Sequence, residues 1–286
     1  MFNKITTVGI VGAGTMGSGI AQVCAQAGYK TLIFDVNKEL AQNAIGIITG
    51  NLDGAIKRGK LSESDKKTAL TNLTVVQSLS DLEVDLVIEA VVEKLDVKQK
   101  LFSELESINS GKSILATNTS SIPVTQIATV LKDPAKCIGL HFFNPAHVMK
   151  LVEIISGAST SPEIVDQMKA FCQSIKKVAV VAKDSPGFIV NRVARHYYVE
   201  ALQLLEEQVS DVKTIDTLLE SSGFKMGPFR LMDLIGVDTN FSVTTSMYNA
   251  FHQNPKFRPS RIQEQKVHAG FLGRKSGKGF YDYTNK

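Results

Sequence analysis

Two side chains with the chemistry of proton transfer lie twelve residues apart, His141 and Glu153. Imidazole exchanges protons near neutral pH. A carboxylate beside it holds one tautomer and stabilises the protonated ring. His141 sits in Gly139-Leu140-His141-Phe142-Phe143-Asn144-Pro145, and Glu153 follows in Lys150-Leu151-Val152-Glu153. From these residues alone two readings stand: an acid/base pair, or a core histidine satisfied by a carbonyl with Glu153 an ordinary ion-pair partner. Ser120, in Thr117-Asn118-Thr119-Ser120-Ser121-Ile122-Pro123, is either a cleft hydroxyl or another turn serine. Ser121 is placed to cap the helix that follows, with Pro123 in its first turn. Asn191 opens an apolar helix, where its amide serves a site or a helix–helix hydrogen bond.

A second chemistry is carried by Gly12-Ala13-Gly14-Thr15-Met16-Gly17. It follows a β-branched run and opens a helical pattern, as a dinucleotide-binding turn requires. Gly12 allows the tight turn, Gly14 a close approach of backbone to pyrophosphate, and Gly17 close helix–sheet packing. Thr15 and Met16 begin the helix whose N–H groups face the phosphates. Asp35, 23 residues beyond Gly12, ends the next strand. A carboxylate there accepts from ribose hydroxyls and repels a 2′-phosphate, which favours NAD over NADP.

The elements that must position these residues alternate between two periods. Strands are expected at 5–11, 31–34, 73–76, 84–90, 113–117, 137–141, 151–155 and 178–181. Helices are expected at 16–27, 38–58 and 94–108, among others. Alternation of this kind means βαβ units and a largely parallel sheet, and His141 then ends a strand on the side where such sheets hold ligands. The pattern changes at Asp184-Ser185-Pro186-Gly187, where Ser185 reads as a helix N-cap and Pro186 as its first residue. Beyond it only helices are expected, at 188–207, 211–222, 228–235, 237–252 and 261–269. The expected fold is α/β: a Rossmann-like, mostly parallel sheet domain over 1–184, then an all-α domain over 185–286.

Composition excludes other classes. The chain has 286 residues, 43% apolar and 21% charged, with a net charge of +4. That is too apolar for disorder and too weakly basic to imply nucleic-acid binding. Cys24, Cys137 and Cys172 have neither disulfide-framework nor metal spacing. They read as reduced thiols, and no metal site is expected. No apolar run approaches the roughly 20 residues of a membrane span. The first residues do not read as a secretory signal, so the expected location is the cytoplasm.

GAGTMG, NTSS, GLHFFNP, MKLVEI, PGFIVNR, MGPF and LGRKSGKGFYDY stand in this order along the chain. With them the chain resembles the short-chain L-3-hydroxyacyl-CoA dehydrogenases, and within them the bacterial 3-hydroxybutyryl-CoA dehydrogenases. The resemblance implies that His141 is the general base and acid, oriented by Glu153. It implies that Ser120 and Asn191 hydrogen-bond the substrate. Asp35, Glu93, Lys98, Asn118, Ser120 and Lys275 would contact NAD. Without it, Glu93 and Lys98 read as a solvated pair five residues apart. The helix over 38–58 would meet CoA through Asn51 and Arg58, both departures from the family's serine and lysine. The segment around Lys275 would fold back on the first domain near the cofactor, and the helical domain would form a homodimer. The implied substrate is a short (S)-3-hydroxyacyl-CoA. The alternatives are a dehydrogenase of free hydroxy acids or sugar acids, against which Phe142-Phe143 argues, and a non-catalytic dinucleotide binder.

Overall fold

The computed structural model describes residues 4–284, and the chain divides into one unit ending at Ser185 and another beginning at Pro186. The first unit runs β1 (Thr7–Val11), α1 (Thr15–Gln26), β2 (Lys30–Phe34), α2 (Lys38–Lys57), α3 (Glu63–Thr71), β3 (Leu73–Val75), β4 (Leu86–Glu89), α4 (Leu95–Ile108), β5 (Ile114–Thr117), α5 (Val124–Ala128), β6 (Cys137–Phe142), β7 (Leu151–Ser156), α6 (Pro162–Ser174) and β8 (Val178–Lys183). The strands form one sheet of order β3-β2-β1-β4-β5-β6-β7-β8. Among the described residues every neighbouring pair is parallel except β6 with β7. The order reverses between β1 and β4, the switch point at which an open α/β sheet binds ligands.

β4, β5 and β6 are buried along their whole length, as expected of central parallel strands. A single apolar cluster joins Ile10, Ile33, Ile88, Ile138 and Ile154 of the sheet to Ile20 and Cys24 of α1, Ile48 and Leu52 of α2, and Met168 and Phe171 of α6. Cys24, Cys137 and Cys172 are buried and unpaired with one another, and burial pushes the Cys137 and Cys172 thiols up to about 12. They are packing residues at neutral pH. No helix among the described residues is long and apolar enough to cross a membrane.

Two expected caps are corrected. Ser121 does not cap α5: Pro123 is its N-cap, and the Val124 and Thr125 N–H groups donate to Asp184 at 3.1 and 2.8 Å. Ser185 and Pro186 do not start the next helix either. Gly187 and Phe188 take φ of +72° and +48°, which no right-handed helix contains, so helix α7 begins only at Val190.

The second unit holds α7 (Val190–Glu206), α8 (Val212–Ser221), α9 (Pro228–Ile235), α10 (Val237–Ala250) and α11 (Arg261–His268). Tyr198, Ala201, Leu202, Ile215, Phe229 and Met232 form its core. Gly227 and Pro228 begin α9 and Gly236 ends it, the asymmetry expected of helix starts and stops. Two buried aspartates fix its corners. Asp216 accepts from the Phe229 and Arg230 N–H groups and from the Tyr281 hydroxyl. Asp233 accepts from the Phe280 and Tyr281 N–H groups and from the Tyr283 hydroxyl. The closing segment therefore packs on α8 and α9 of its own unit.

Candidate active site

The fully buried strands β4, β5 and β6 are apolar except at or next to their C-terminal ends. Glu89 is the last residue of β4, Thr117 the last of β5, and His141 the penultimate residue of β6. The registers Glu89↔Thr117 and Thr117↔Gly139 set these ends side by side. Each is a polar group withdrawn from water, so each must have partners.

His141 finds its partner across the sheet. It is paired in register with Glu153 on β7, and Nδ1 lies 2.8 Å from Glu153 Oε2. The residues are 6% and 1% exposed. The turn of chain between β6 and β7 is what makes a twelve-residue separation a direct contact. The Phe143 ring lies 4.5 Å from the imidazole, centroid to centroid. Asn118 ties the ends of β5 and β6 together: its Oδ1 accepts from the Phe142 N–H at 2.8 Å.

Glu93 organises the turn that carries Ser120. Its Oε1 accepts from the Thr119 hydroxyl at 2.5 Å, the Ser120 N–H at 3.0 Å, and the Ser121 N–H and hydroxyl at 3.2 and 3.0 Å. Burial alone would raise the Glu93 carboxyl, but the Lys98 ammonium and these hydrogen bonds outweigh it and hold it below its usual value. Lys98 is 1% exposed and lies 3.2 Å from Glu93 and 2.6 Å from Glu89. Lys98 is therefore not solvated, although the Glu93 side chain is 35% exposed. Lys98 lies in the first turn of α4 while Glu93 precedes the helix, so helical spacing rules did not apply to them.

The glycine turn has the shape a dinucleotide needs. Gly12 takes φ +100°, and a Cβ there would lie 2.5 Å from the Ala90 carbonyl oxygen. A Cβ on Gly17 would overlap the Gly12 carbonyl oxygen, whereas one on Gly14 would meet nothing within 4 Å. Gly14 therefore borders open space at the N-terminus of α1, where no side chain caps the helix and no acid stands in its first turn. Asp35 accepts from the Ala13 N–H at 2.7 Å and from the Asn37 N–H at 2.8 Å. It fixes the glycine turn and keeps acceptor capacity for ribose hydroxyls. An uncapped positive helix end, a side-chain-free approach and a flanking carboxylate fit NAD.

Of the remaining expected contacts, Asn51 and Lys275 have partners within their own units. The Asn51 amide donates to Gln22 Oε1 at 3.0 Å, and Arg58 is exposed and lies back along α2 against Gly54. Lys275 pairs with Asp238 at 2.7 Å. Asn191 is half-buried on the first turn of α7. The roles of Glu89 and Asp184 escaped the sequence reading. The signal for Glu89 was present, as an acid closing the apolar run Leu86-Val87-Ile88 beside the strand of the glycine turn.

The reversed strand order, glycine turn and strand-end acid define a Rossmann-type NAD-binding oxidoreductase. Residues 7–185 match 3-hydroxyacyl-CoA dehydrogenase, NAD binding domain, and residues 187–283 match its C-terminal domain. The chain belongs to the 3-hydroxyacyl-CoA dehydrogenase family, and its cofactor is NAD. It is 47% identical over 285 residues to 3-hydroxyadipyl-CoA dehydrogenase of Escherichia coli K12, covering 99% of this chain and 60% of that protein. This chain thus spans about three fifths of that relative's length. It is 39% identical to a probable 3-hydroxybutyryl-CoA dehydrogenase of Bacillus subtilis, with 99% of each chain covered. The crystal structure of (S)-3-hydroxybutyryl-CoA dehydrogenase from Ralstonia eutropha superposes with a TM-score of 0.95 at 40% identity, covering 99% of this chain and 100% of that one.

Proposed function

We propose that this chain interconverts (S)-3-hydroxyacyl-CoA and 3-oxoacyl-CoA, with the 3-hydroxybutyryl/acetoacetyl pair as its short-chain substrates. The observation that carries the reading is the buried His141–Glu153 pair at 2.8 Å on the ligand side of the sheet. Bound NAD supplies the two-electron acceptor for the C3 hydride. With Glu153 holding Nδ1, Nε2 is the atom assigned to take the 3-hydroxyl proton as the C3–H bond breaks. In reduction the imidazolium returns that proton to the forming alkoxide. Glu153 holds the ring and offsets the charge it gains. The Ser120 hydroxyl donates to the reacting oxygen, and the family correspondence extends that role to Asn191. Glu93, Asn118 and Asp35 shape the NAD side, and the same correspondence adds Lys98 and Lys275. Asn51 and Arg58 are assigned to CoA, Arg58 because a guanidinium grips phosphate bidentately. A homodimer formed by the helical unit and a cytoplasmic location complete the proposal.

The test is loss of NADH absorbance with acetoacetyl-CoA, run beside free acetoacetate, 3-oxoadipyl-CoA and NADPH. Turnover is expected with NADH and acyl-CoA. Turnover of acetoacetate in preference to its CoA thioester would favour the free-acid alternative, and turnover of none a binder. The 3-oxoadipyl-CoA arm is included because the two relatives' names differ in their acyl group.

A further inference from the structure

Three charged side chains are packed beneath the turn that carries Ser120, and the reaction as written uses none of them directly. The Glu89 carboxylate is wholly buried. One oxygen accepts from the Val91 N–H at 2.7 Å and from the Lys98 ammonium at 2.6 Å, and the other accepts from the Thr117 hydroxyl at 2.7 Å. Lys98 reaches from Glu89 to Glu93, and Glu93 in turn gathers Thr119, Ser120 and Ser121 on a single oxygen.

Stability does not account for this arrangement. Taking an ion pair out of water costs several kcal/mol per ion, and well-packed apolar residues in its place are often neutral or stabilising. What the network does supply is direction. Val91, on the chain leaving β4, and Thr117, ending β5, fix both oxygens of Glu89 from two strands. Glu89 then fixes where the Lys98 ammonium sits, and Lys98 determines which Glu93 oxygen is left to the turn. Without Glu89, the ammonium would have Glu93 as its sole carboxylate and would draw it off the Ser120 and Ser121 N–H groups and the Thr119 and Ser121 hydroxyls.

We propose that Glu89 is a positioning residue: through Lys98 it holds Glu93 in the orientation that ties down the 119–121 turn, and so sets where Ser120 presents its hydroxyl. The inference rests on Ser120 contacting the substrate as read above.

Glu89→Gln keeps the shape and removes the charge. Hydrogen exchange on the cofactor-free protein is expected to show the Ser120 and Ser121 amides exchanging at least tenfold faster than in the unsubstituted chain. The same substitution is expected to lower kcat/KM for acetoacetyl-CoA at least tenfold, but less than threefold when introduced beside Ser120→Ala. A residue that merely supports the fold would cost the same factor in both backgrounds. If Glu89→Gln does not fold, Glu89→Asp keeps the charge but draws the carboxylate back from Lys98 by one methylene, and is expected to give the same pattern with smaller factors. No turnover in the unsubstituted chain would sink the reading of the reaction. Turnover with unchanged exchange at Ser120 and Ser121, or an equal loss in both backgrounds, would sink this inference alone.

Discussion

His141 faces Glu153 across the one antiparallel strand pairing among the described residues, with Nδ1 2.8 Å from Oε2. Both side chains are buried, so neither rotates freely and each is the other's constraint. Removing either therefore damages proton transfer in a distinct way. His141→Gln is expected to leave NADH binding intact while lowering kcat by about 10²–10⁴-fold, the usual worth of a positioned acid/base. Glu153→Gln keeps the volume but offers the ring a neutral, ambiguous partner, and a loss of about 10²–10⁴-fold in kcat is expected. Steady-state rates with NADH titrated by fluorescence decide it. Near-normal turnover in either variant would remove that residue from the mechanism.

The two glycines of the cofactor turn should fail differently. A Cβ on Gly17 overlaps the Gly12 carbonyl oxygen, so Gly17→Ala must push α1 off β1. A cost of about 2–4 kcal/mol and a Tm lower by about 5–10 °C are expected. A Cβ on Gly14 meets open space, so Gly14→Ala should leave Tm within about 2 °C. The same methyl occupies the approach to the helix N-terminus, and NADH affinity should fall about tenfold or more. Thermal melts paired with NADH titration separate the two, and a Gly14→Ala protein that binds NADH normally would move the pyrophosphate elsewhere.

Glu93 gives the fold a dependence on pH whose sign follows from its surroundings. Its carboxyl is held below the unperturbed value of 4.5, so the folded chain binds fewer protons here than the unfolded chain. This contributes stability above pH 4.5 that is lost as pH falls through the lower folded-state value. Glu93→Gln, which cannot ionise, should melt below the parent at pH 7, and the gap should narrow steadily below pH 4.5. Melting curves of both proteins between pH 7 and pH 3 provide the measurement, and a gap that stays constant would show that the charge on Glu93 is not what matters.

The architecture was legible because its signals are local. β-branched runs ended by turn residues marked the strands, and Gly or Pro marked nearly every break among the helices, as at Gly227-Pro228 and Gly236. What was not legible depended on partners distant in sequence. The separation of His141 from Glu153 says nothing until the β6–β7 register is known. Lys98 reads as solvated until Glu89, at the end of β4, is found closing over it. Asn51 reads as a ligand contact by correspondence, yet its amide is engaged by Gln22 of α1. Ser185 and Pro186 carry every residue preference of a helix start. They fail as one because Gly187 and Phe188 adopt positive φ, which Phe188 does not announce.

The last prediction concerns the helical unit. Asp233 is buried and accepts the Phe280 N–H at 2.8 Å, the Tyr281 N–H at 2.9 Å and the Tyr283 hydroxyl at 3.0 Å. Three donors of the closing segment thus depend on one carboxylate, and hydrogen bonds to a charged group are each worth about 1.5–3 kcal/mol. Asp233→Ala strands all three, and because they share one partner their losses do not simply add. A net cost of about 3 kcal/mol is expected. Tyr283→Phe removes one donor and leaves the carboxylate with two, so about 1.5 kcal/mol is expected. Urea unfolding monitored by tyrosine fluorescence and circular dichroism measures both. A cost for Asp233→Ala no larger than that for Tyr283→Phe would mean that the segment is held by its apolar contacts, with Phe280 against Phe229, and not by the aspartate.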